Sequence, residues 1–509
     1  MEARIAGGAL VLVGFMGAGK STSARALAAG LGSEALDSDR VLEQRLGEPI
    51  ESFFDREGEP AFRAREEEVV LELLERPDAR VIALGGGALA SERVREALAA
   101  HTVVHLEVEP EEAWRRASNH GRPLARDPAR FARLHSDRAA LYESVADVIL
   151  PPGQREGIRR ALPALEALEE APAGTRLVWA YAASGEYPVF LGEGLVASGF
   201  FYPRARRRFV VTDENVARAV PFHADERIVI PSGEEQKTLT GAESVLRRLA
   251  TAGAERGDLV VAVGGGVVGD LAGFCAAVYQ RGIGHVQVPT TLVAQVDSAY
   301  GGKTGVDLPE GKNYAGAFHQ PAAVLCDPAL LTTLPPEELG AGYVEVVKTA
   351  LIAGGPLWSR VRRGEEVDAQ VILGCLRTKL AVVAADERDA GRRQVLNLGH
   401  TVGHAIEAAT SYGRYRHGEA VGIGLLVALR LSGREPLRAE VADLLAARGL
   451  PLAFAGASVD EVLELVERDK KRTGGRVPFV LVEAPGEVSP GHEPDPKMLR
   501  MAVEEVHAG

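Results

Sequence analysis

The sequence predicts an α/β protein that ends in a mostly helical region. Strand-type runs alternate with helix-type segments up to about residue 165 and again from about residue 176 to residue 330, and the pattern is mostly helical beyond. Residues 14–21 read GFMGAGKS, a phosphate-binding loop placed between a strand-like and a helix-like run. We expect a P-loop domain with a parallel sheet and helices on both faces, a Rossmann-like α/β domain and a helical domain.

Length and composition limit the possible number of domains, partners and cellular compartments. A chain of 509 residues exceeds one core and predicts roughly three domains. The net charge of −13 disfavours a nucleic-acid partner. Three widely spaced cysteines indicate a reducing compartment, and the sequence has neither an apolar run of membrane-spanning length nor a recognisable signal peptide. We expect a cytoplasmic protein without a membrane partner.

The loop at 14–21 has the flanks that its chemistry needs. The strand-like run 9–13 precedes it, and the helix-like run 21–31 follows. Its glycines let backbone N–H groups face a polyphosphate, Lys20 reaches the β- and γ-phosphates, and the Ser21 hydroxyl can bind Mg²⁺. A nucleoside triphosphate is therefore predicted to bind here.

Four further features follow in the first half, and three of them have a plain alternative. Asp37 and Asp39 could serve Mg²⁺ and an acceptor hydroxyl, or form a common acidic turn. Arg63 could clamp a carboxylate, or form a surface ion pair. The GGG run at 85–87 allows close approach of a ligand. Residues 111–138 carry seven arginines against four acids, which suits a lid over phosphates or a solvated charged helix.

Taken in order, GFMGAGKST, DSD, F-x-R-x-x-E, GGG, R-P-L and R-x-x-x-Y resemble shikimate kinase over residues 5–165. The resemblance implies phosphoryl transfer from ATP to the 3-hydroxyl of shikimate. It assigns ATP to Gly17, Ala18, Gly19, Lys20, Ser21 and Thr22, and Mg²⁺ to Ser21 and Asp37. It assigns shikimate to Asp39, Arg63, Gly86 and Arg138, and the lid arginine to Arg122, with Arg126 as the alternative. Lys20, Asp39 and Arg122 are the catalytic candidates.

The second half carries a separate candidate metal site. Glu345 lies in a helix-like run with Lys348 one turn later. His400 and His404 are spaced i,i+4 on one predicted helical face, and His417 follows. Two histidines and one carboxylate with an open position make a catalytic zinc site, and cobalt fits the same ligands. Spacing alone leaves open which two histidines bind, and an i,i+4 pair is more often an ordinary buried or surface pair.

Two glycine-containing turns and a loop-rich stretch complete this half. GGGVVGD at 264–270 can place a pyrophosphate at a helix N-terminus, and SGEEQKT at 232–238 could meet a ribose. The stretch 288–318 holds Asp297, Lys303, Lys312 and Asn313, which suit a phosphate or carboxylate; each lysine alone could as well be a solvated loop residue.

The ordered motifs PTTLVAQVDS, GGKTGV, GKN, NLGHTVGHAIE and HGE resemble 3-dehydroquinate synthase across residues 177–509. The resemblance implies an NAD-binding domain, a helical metal domain and a homodimer, with metal on Glu345, His400 and His417. It assigns NAD to Ser232, Gly233, Glu234, Glu235, Gln236, Lys237, Gly266, Val267, Val268, Gly269, Asp270, Thr290, Thr291, Lys303 and Lys312. It assigns the substrate to Arg281, Asp297, Lys303, Lys312, Asn313, Lys348, Lys379, Arg393, Asn397, His404 and Lys470, with Lys471 as the alternative to Lys470. Lys303, Lys348, Lys379, Asn397 and His404 are its catalytic candidates.

The implied substrate is 3-deoxy-D-arabino-heptulosonate 7-phosphate, which is converted to 3-dehydroquinate and phosphate. We therefore expect a bifunctional enzyme of aromatic precursor synthesis that acts on small molecules, with domains at 1–165, 177–325 and 326–509 and a linker at 166–176. The rivals are a related sugar-phosphate cyclase joined to another small-molecule kinase, a nucleotide-binding regulatory module ahead of the cyclase, and a scaffold protein. The intact site residues in both halves argue against the last two.

Overall fold

The structure is a computed structural model that describes residues 8–118, 127–153, 157–472 and 478–508. The side chains of residues 469–472 lie outside this description. The chain divides into two compact units. Unit one comprises residues 1–180 and 188–203, and unit two comprises residues 181–187 and 204–509.

Unit one is built on a parallel sheet with strand order β2-β3-β1-β4-β5-β6. Strands β1, β3 and β5 are buried along their whole length, as expected where both faces of a parallel sheet are covered. The strands are β1 (Leu10–Val13), β2 (Ala35–Asp37), β3 (Val81–Ala83), β4 (Thr102–Leu106), β5 (Val148–Leu150) and β6 (Arg176–Ala182). The last two residues of β6 belong to unit two, and the next strand, β7 (Gly185–Leu191), is also divided between the two units.

The helices of unit one follow the predicted alternation. They are α1 (Lys20–Gly30), α2 (Ser38–Leu46), α3 (Ile50–Leu74), α4 (Glu92–Ala97), α5 (Pro110–Ser118), α6 (Pro128–Val145) and α7 (Ile158–Leu168). Within α3 the backbone leaves helical geometry at Gly58, which has φ 81°, two residues before Pro60. The part of α3 after this break carries Arg63 and Glu66.

Unit two opens with a five-stranded parallel sheet of order β14-β11-β10-β8-β9. Its elements are β8 (Arg208–Asp213), α8 (Glu214–Ala219), β9 (Glu226–Ile230), α9 (Leu239–Thr251), β10 (Leu259–Gly264), α10 (Gly266–Val278), β11 (Gly284–Pro289), β12 (Lys303–Leu308), β13 (Gly311–Phe318) and β14 (Ala323–Cys326). Side chains from α9, α10 and the sheet form one buried core that includes Val245, Leu271 and Val260.

The rest of unit two is mostly helical, as predicted. It contains α11 (Pro336–Ala353), α12 (Gly355–Arg362), α13 (Ala369–Ala385), α14 (His400–Ala409), α15 (His417–Leu431), α16 (Glu435–Ala446), α17 (Val459–Arg472), β15 (Phe479–Ala484), β16 (Glu487–His492) and α18 (Pro496–Glu504). Strands β15 and β16 form an antiparallel hairpin around Pro485-Gly486, a turn signal that would have been readable in the sequence.

The stretch 288–318, which was predicted to be rich in loops, contains more regular secondary structure than expected. β12 and β13 pair in antiparallel register, so Lys303 begins one strand, while Lys312 and Asn313 lie in the other. Asp297 lies in a π-helical turn, Ala294–Ser298, a local geometry that is frequent at functional sites. The chemistry-bearing side chains of this segment are therefore held on defined backbone.

Three predictions about the whole chain can be compared with the fold. The three cysteines are free and buried, so they form no disulfide framework. Among the described helices, none combines the length and the apolar character that a membrane span requires. The linker at 166–176 stays a prediction; α7 ends at Leu168, and β6, which begins at Arg176, pairs with β5.

Candidate active sites

The phosphate-binding loop of unit one connects the buried strand β1 to α1, as predicted. Gly17 and Gly19 have φ of 85° and 93°, the left-handed region that favours glycine. The Lys20 ammonium donates hydrogen bonds to the carbonyl oxygens of Gly14 (2.8 Å) and Phe15 (3.2 Å). The lysine thus lies against the loop and beside the N-terminus of α1, where phosphate oxygens are favoured.

The ends of the neighbouring strands bring the DSD and GGG motifs together. Asp37 ends β2, and its Oδ1 accepts from the backbone N–H groups of Asp39 (3.1 Å) and Arg40 (3.3 Å), which caps α2. The Gly85 N–H donates to the Ser38 hydroxyl at 2.8 Å. Because the carboxyl ends of parallel strands meet at one edge of a sheet, these motifs lie at the same edge as the P-loop.

Close packing explains why glycines occupy the GGG run at 85–87. A Cβ added to Gly85 would lie 2.6 Å from carboxylate oxygens of Asp39 and Glu66, and one added to Gly87 would lie 1.9 Å from an Arg63 nitrogen. Arg138 reaches the same run, since its Nη1 donates to the Gly86 carbonyl at 2.8 Å. Four predicted shikimate residues, Asp39, Arg63, Gly86 and Arg138, are therefore brought around one glycine turn.

Unit one also contains residues to which the sequence analysis assigned no role. Glu66 is buried and accepts from Arg63 Nη1 at 2.5 Å; burial raises its pKa despite the attraction of Arg63. Tyr142 Oη donates to the Gly86 carbonyl at 2.5 Å, and Arg116 Nη1 donates to the Gly17 carbonyl at 2.9 Å. The last two contacts join residues far apart in the chain. The predicted lid arginines, Arg122 and Arg126, lie outside the described residues.

Unit two encloses a cavity of about 1560 Å³. Most residues that the sequence assigned to NAD, substrate and metal line it, including Ser232, Gly266, Thr290, Asp297 and His417. The predicted residues that are not among the lining residues are Arg281, which has φ 68°, the fully buried Lys348, and Glu235, Gln236 and Gly269. The side chains of Lys470 and Lys471 lie outside the description. Asp213, at the end of β8, lines the cavity but was not predicted, although an acidic strand end is a known ribose signal.

The nucleotide segments lie at the carboxyl ends of the parallel strands. The α10 helix begins at Gly266, directly after β10. A Cβ on Gly265 would lie 2.8 Å from the Thr291 side chain, so glycine lets the end of β11 approach this turn. Lys237, 5 % exposed, donates to Asp270 Oδ2 at 2.5 Å and ties the SGEEQKT segment to α10. The predicted NAD residues that follow β9, β10 and β11 thus share one edge of the sheet, while Lys303 and Lys312 belong to the β12–β13 hairpin.

The candidate metal donors converge in the same cavity. Glu345 on α11 is 1 % exposed, and its Oε1 has no hydrogen-bond partner among the described residues. That oxygen lies 3.6 Å from His400 Nε2 and 3.7 Å from His417 Nε2. Ligand nitrogens of His400, His404 and His417 lie within 4.8 Å of one another. All three histidines are therefore close enough to contribute, and the choice between them stays a prediction.

The hydrogen bonds of the two imidazoles show why a cation fits between them. His400 Nδ1 lies 3.2 Å from the Leu398 carbonyl, and His417 Nδ1 lies 3.3 Å from Glu407 Oε2. Both partners only accept, so each neutral ring carries its proton on Nδ1 and turns the lone pair of Nε2 toward the Glu345 carboxylate. Three electron pairs facing one buried point repel unless a cation lies there. Donors around zinc are spaced by roughly 3.4 Å in a tetrahedral site, so these distances fit a divalent metal.

A buried charge network joins this cluster to the rest of the cavity. Lys348 forms an ion pair with Glu345 and donates to Asp297 Oδ2 at 2.9 Å, and Lys379 binds the other Asp297 oxygen. Burial raises the pKa of Asp297, but the two ammonium groups hold it well below its usual value. Burial and repulsion from Lys348 lower the pKa of Lys379 although Asp297 attracts the charge. A lysine with a lowered pKa is suited to exchange protons.

The remaining predicted substrate residues are held by specific contacts. Arg393 is 1 % exposed and donates to the carbonyl oxygens of Glu387 (2.5 Å) and Gly301 (3.1 Å). Asn397 lies in the same 3₁₀ turn, Arg392–Asn397, and lines the cavity. Lys303 pairs with Asp389, a residue with φ 62° that the sequence did not single out.

Comparison with known proteins places both units in families. Residues 16–166 match the family model for shikimate kinase, and residues 227–341 and 342–472 match the models for the N-terminal and C-terminal parts of 3-dehydroquinate synthase. The 3-dehydroquinate synthase of Halorhodospira halophila is 43% identical over 334 residues, which cover 61% of this chain and 94% of that protein. The chain belongs to the 3-dehydroquinate synthase family, with a shikimate kinase domain ahead of the synthase.

A second relative and two solved structures are similar to the synthase part. The 3-dehydroquinate synthase of Nitrobacter winogradskyi is 46% identical over 351 residues, covering 62% of this chain and 91% of its own. A crystal structure of 2-deoxy-scyllo-inosose synthase with carbaglucose-6-phosphate, NAD⁺ and Co²⁺ is 25% identical, with a TM-score of 0.57 over 65% of this chain and 99% of that chain. The 2-epi-5-epi-valiolone synthase of Streptomyces hygroscopicus is 24% identical with a TM-score of 0.57, covering 63% and 96% of the two chains, and shares the fold of the synthase part.

Proposed function

We propose that the chain is a bifunctional enzyme of the shikimate pathway. Unit one phosphorylates shikimate with ATP, and unit two converts 3-deoxy-D-arabino-heptulosonate 7-phosphate to 3-dehydroquinate and phosphate. The observation that carries the second activity is the convergence of Glu345 with His400 and His417 beside the Asp297 network in one cavity. The first is supported by the P-loop and the arginine-lined glycine turn at one sheet edge.

In the kinase site, the protein's part is positioning and charge neutralisation. Lys20 stabilises charge on the transferring phosphoryl group, and Ser21 and Asp37 serve the Mg²⁺ that accompanies ATP. Asp39 orients the acceptor hydroxyl, while the planar guanidinium groups of Arg63 and Arg138 bind the shikimate carboxylate. Arg122 is proposed to close over the nucleotide.

In the synthase site, the cavity's own residues hold the substrate and move protons. Arg393, Lys303 and Lys312 supply positive charge for the phosphate and carboxylate. Loss of phosphate by elimination requires removal of a proton from the neighbouring carbon, and Lys379, whose pKa is lowered, is suited to shuttle it. Bound NAD supplies reversible hydride transfer, and a divalent metal, zinc or cobalt, polarises a hydroxyl or carbonyl oxygen. The net conversion is redox-neutral. The synthase part is proposed to form the homodimer.

The kinase assignment predicts a specific kinetic change in Arg63→Lys and Arg138→Lys. Each substitution keeps the charge but loses the two-pronged contact with a carboxylate. We expect the KM for shikimate to rise roughly tenfold or more, the energy of about one charge-assisted hydrogen bond, with little change for ATP. Arg45→Lys, a change at an exposed ion pair with Glu72, is the matched control. A rise confined to the KM for ATP would place these arginines at the nucleotide instead.

A substrate panel tests the proposed function against its rivals. With NAD and metal, the chain should release phosphate from the heptulosonate phosphate and not from a seven-carbon sugar phosphate that lacks the carboxylate, because the positive charge of Arg393 and the lysines would then be matched by the phosphate alone. With ATP and Mg²⁺, shikimate alone among small hydroxylated acids should be phosphorylated. Preferred turnover of the uncarboxylated sugar phosphate would identify a different cyclase, and a kinase unit that binds ATP without turnover would indicate a regulatory module.

A further inference from the structure

Glu407 on α14 lies between two groups that the proposed mechanism uses. It is 2 % exposed and sits seven residues after His400, on the same helical face. Its Oε1 accepts from Lys312 Nζ at 3.1 Å, and its Oε2 accepts from His417 Nδ1 at 3.3 Å. Each carboxylate oxygen therefore serves a different partner, one at the substrate side of the cavity and one at the metal side.

Lys312, which donates to Glu407, makes further contacts in the cavity. Lys312 Nζ also lies 3.5 Å from Glu234 Oε1, in the segment assigned to NAD, and 4.8 Å from the centre of the Tyr412 ring. Tyr412 has φ 55°, and its N–H donates to the Glu407 carbonyl at 2.8 Å. The cation–π contact and two carboxylates thus hold the lysine from three elements.

We propose that Glu407 is a positioning residue that fixes the metal ligand His417 and the substrate lysine Lys312 together. On the metal side it accepts the Nδ1 proton, which sets the tautomer and turns the Nε2 lone pair toward Glu345. On the other side it fixes the position of the Lys312 ammonium in the cavity. The inference rests on the proposed function, because it takes His417 as a metal ligand.

The two hydrogen bonds make Glu407→Gln a sharp test. Both neighbours donate, and a carboxylate offers both of them an acceptor oxygen. A glutamine has the same shape but one acceptor oxygen, so its NH₂ group must face either Lys312 or the Nδ1 proton of His417. Metal binding should weaken about 10- to 100-fold, the usual effect of losing such an outer partner.

The experiment titrates Co²⁺ into the chelated full-length chain, with the affinity measured by competition with a chelator and the site geometry read from the visible spectrum. Wild type, Glu407→Gln, Lys312→Met and Glu435→Gln are compared. Glu435 is an exposed carboxylate paired with Arg430 and Arg438, so its substitution is the matched control and should leave the affinity unchanged. Lys312→Met removes the hydrogen bond between Lys312 and Glu407 but keeps the one between Glu407 and His417. It should therefore keep metal affinity within about threefold while the KM for heptulosonate phosphate rises.

The outcomes separate the alternatives. Wild-type cobalt affinity and spectrum in Glu407→Gln would overturn the inference, as would an equal loss of affinity in Lys312→Met, which would indicate a general charge effect. If wild type itself binds no cobalt, the proposed function fails and not the role of Glu407 alone. If Glu407→Gln does not fold, Glu407→Asp decides the question, because it keeps the charge but withdraws both oxygens by one methylene.

Discussion

Replacing Lys20 with alanine should reduce ATP-dependent phosphorylation of shikimate by about 10²–10³-fold, which corresponds to about 2.7–4 kcal/mol of transition-state stabilisation. The ammonium already lies within 2.8–3.2 Å of two loop carbonyls beside the N-terminus of α1, so its loss removes a positioned cation. Rates of ADP formation with shikimate present measure the effect.

The synthase activity of the same variant is the internal control. Phosphate release from heptulosonate phosphate should be unchanged in Lys20→Ala, because the residues proposed for that activity all lie in unit two. Lys497→Ala, at an exposed position at the start of α18, should change neither rate. Full kinase activity in Lys20→Ala would contradict the assignment of the P-loop to phosphoryl transfer.

Removing the metal should abolish phosphate release from heptulosonate phosphate. Without a cation, the Nε2 atoms of His400 and His417 face Glu345 Oε1 at 3.6 Å and 3.7 Å, and nothing polarises the substrate oxygen. A transition-metal chelator, used with Mg²⁺ in excess, should stop this activity and leave shikimate phosphorylation intact. Zinc or cobalt should restore it.

Metal analysis of two variants then identifies the ligands. His417→Ala should lose the metal, whereas His404→Ala should retain it and lose turnover. We predict this division because the Nδ1 atoms of His400 and His417 contact acceptors, which leaves their Nε2 atoms toward Glu345. Metal lost from His404→Ala and kept by His417→Ala would mean that the catalytic histidine and the ligand have been exchanged.

Local patterns predicted much of the fold. The P-loop is flanked by a four-residue buried strand and a helix that begins at Lys20, and both follow from apolar runs beside glycines. The spacing of Glu345 and Lys348 placed them on one helix, α11, and that of His400 and His404 placed them on α14. The β12–β13 hairpin was missed because its glycines and lysines carry little apolar alternation.

Residues that act through long-range contacts could not be predicted in the same way. Glu407 is five residues from Tyr412 but 95 from Lys312, and only the folded chain shows that one carboxylate serves both Lys312 and His417. Likewise Arg116 meets the P-loop across 99 residues. In the sequence Arg116 looks like a solvated charge on a helix, and Glu407, the last residue of NLGHTVGHAIE, gives no sign of its partners. Tertiary packing, and not local pattern, gives these residues their partners.

The most direct test of the account asks whether one chain carries both activities. The purified protein is run through a size-exclusion column, and each fraction receives heptulosonate phosphate, NAD, metal, shikimate, ATP and Mg²⁺, with products identified by mass. We expect 3-dehydroquinate and shikimate 3-phosphate in constant ratio across a single peak. Only one product, or two products that separate between fractions, would contradict it.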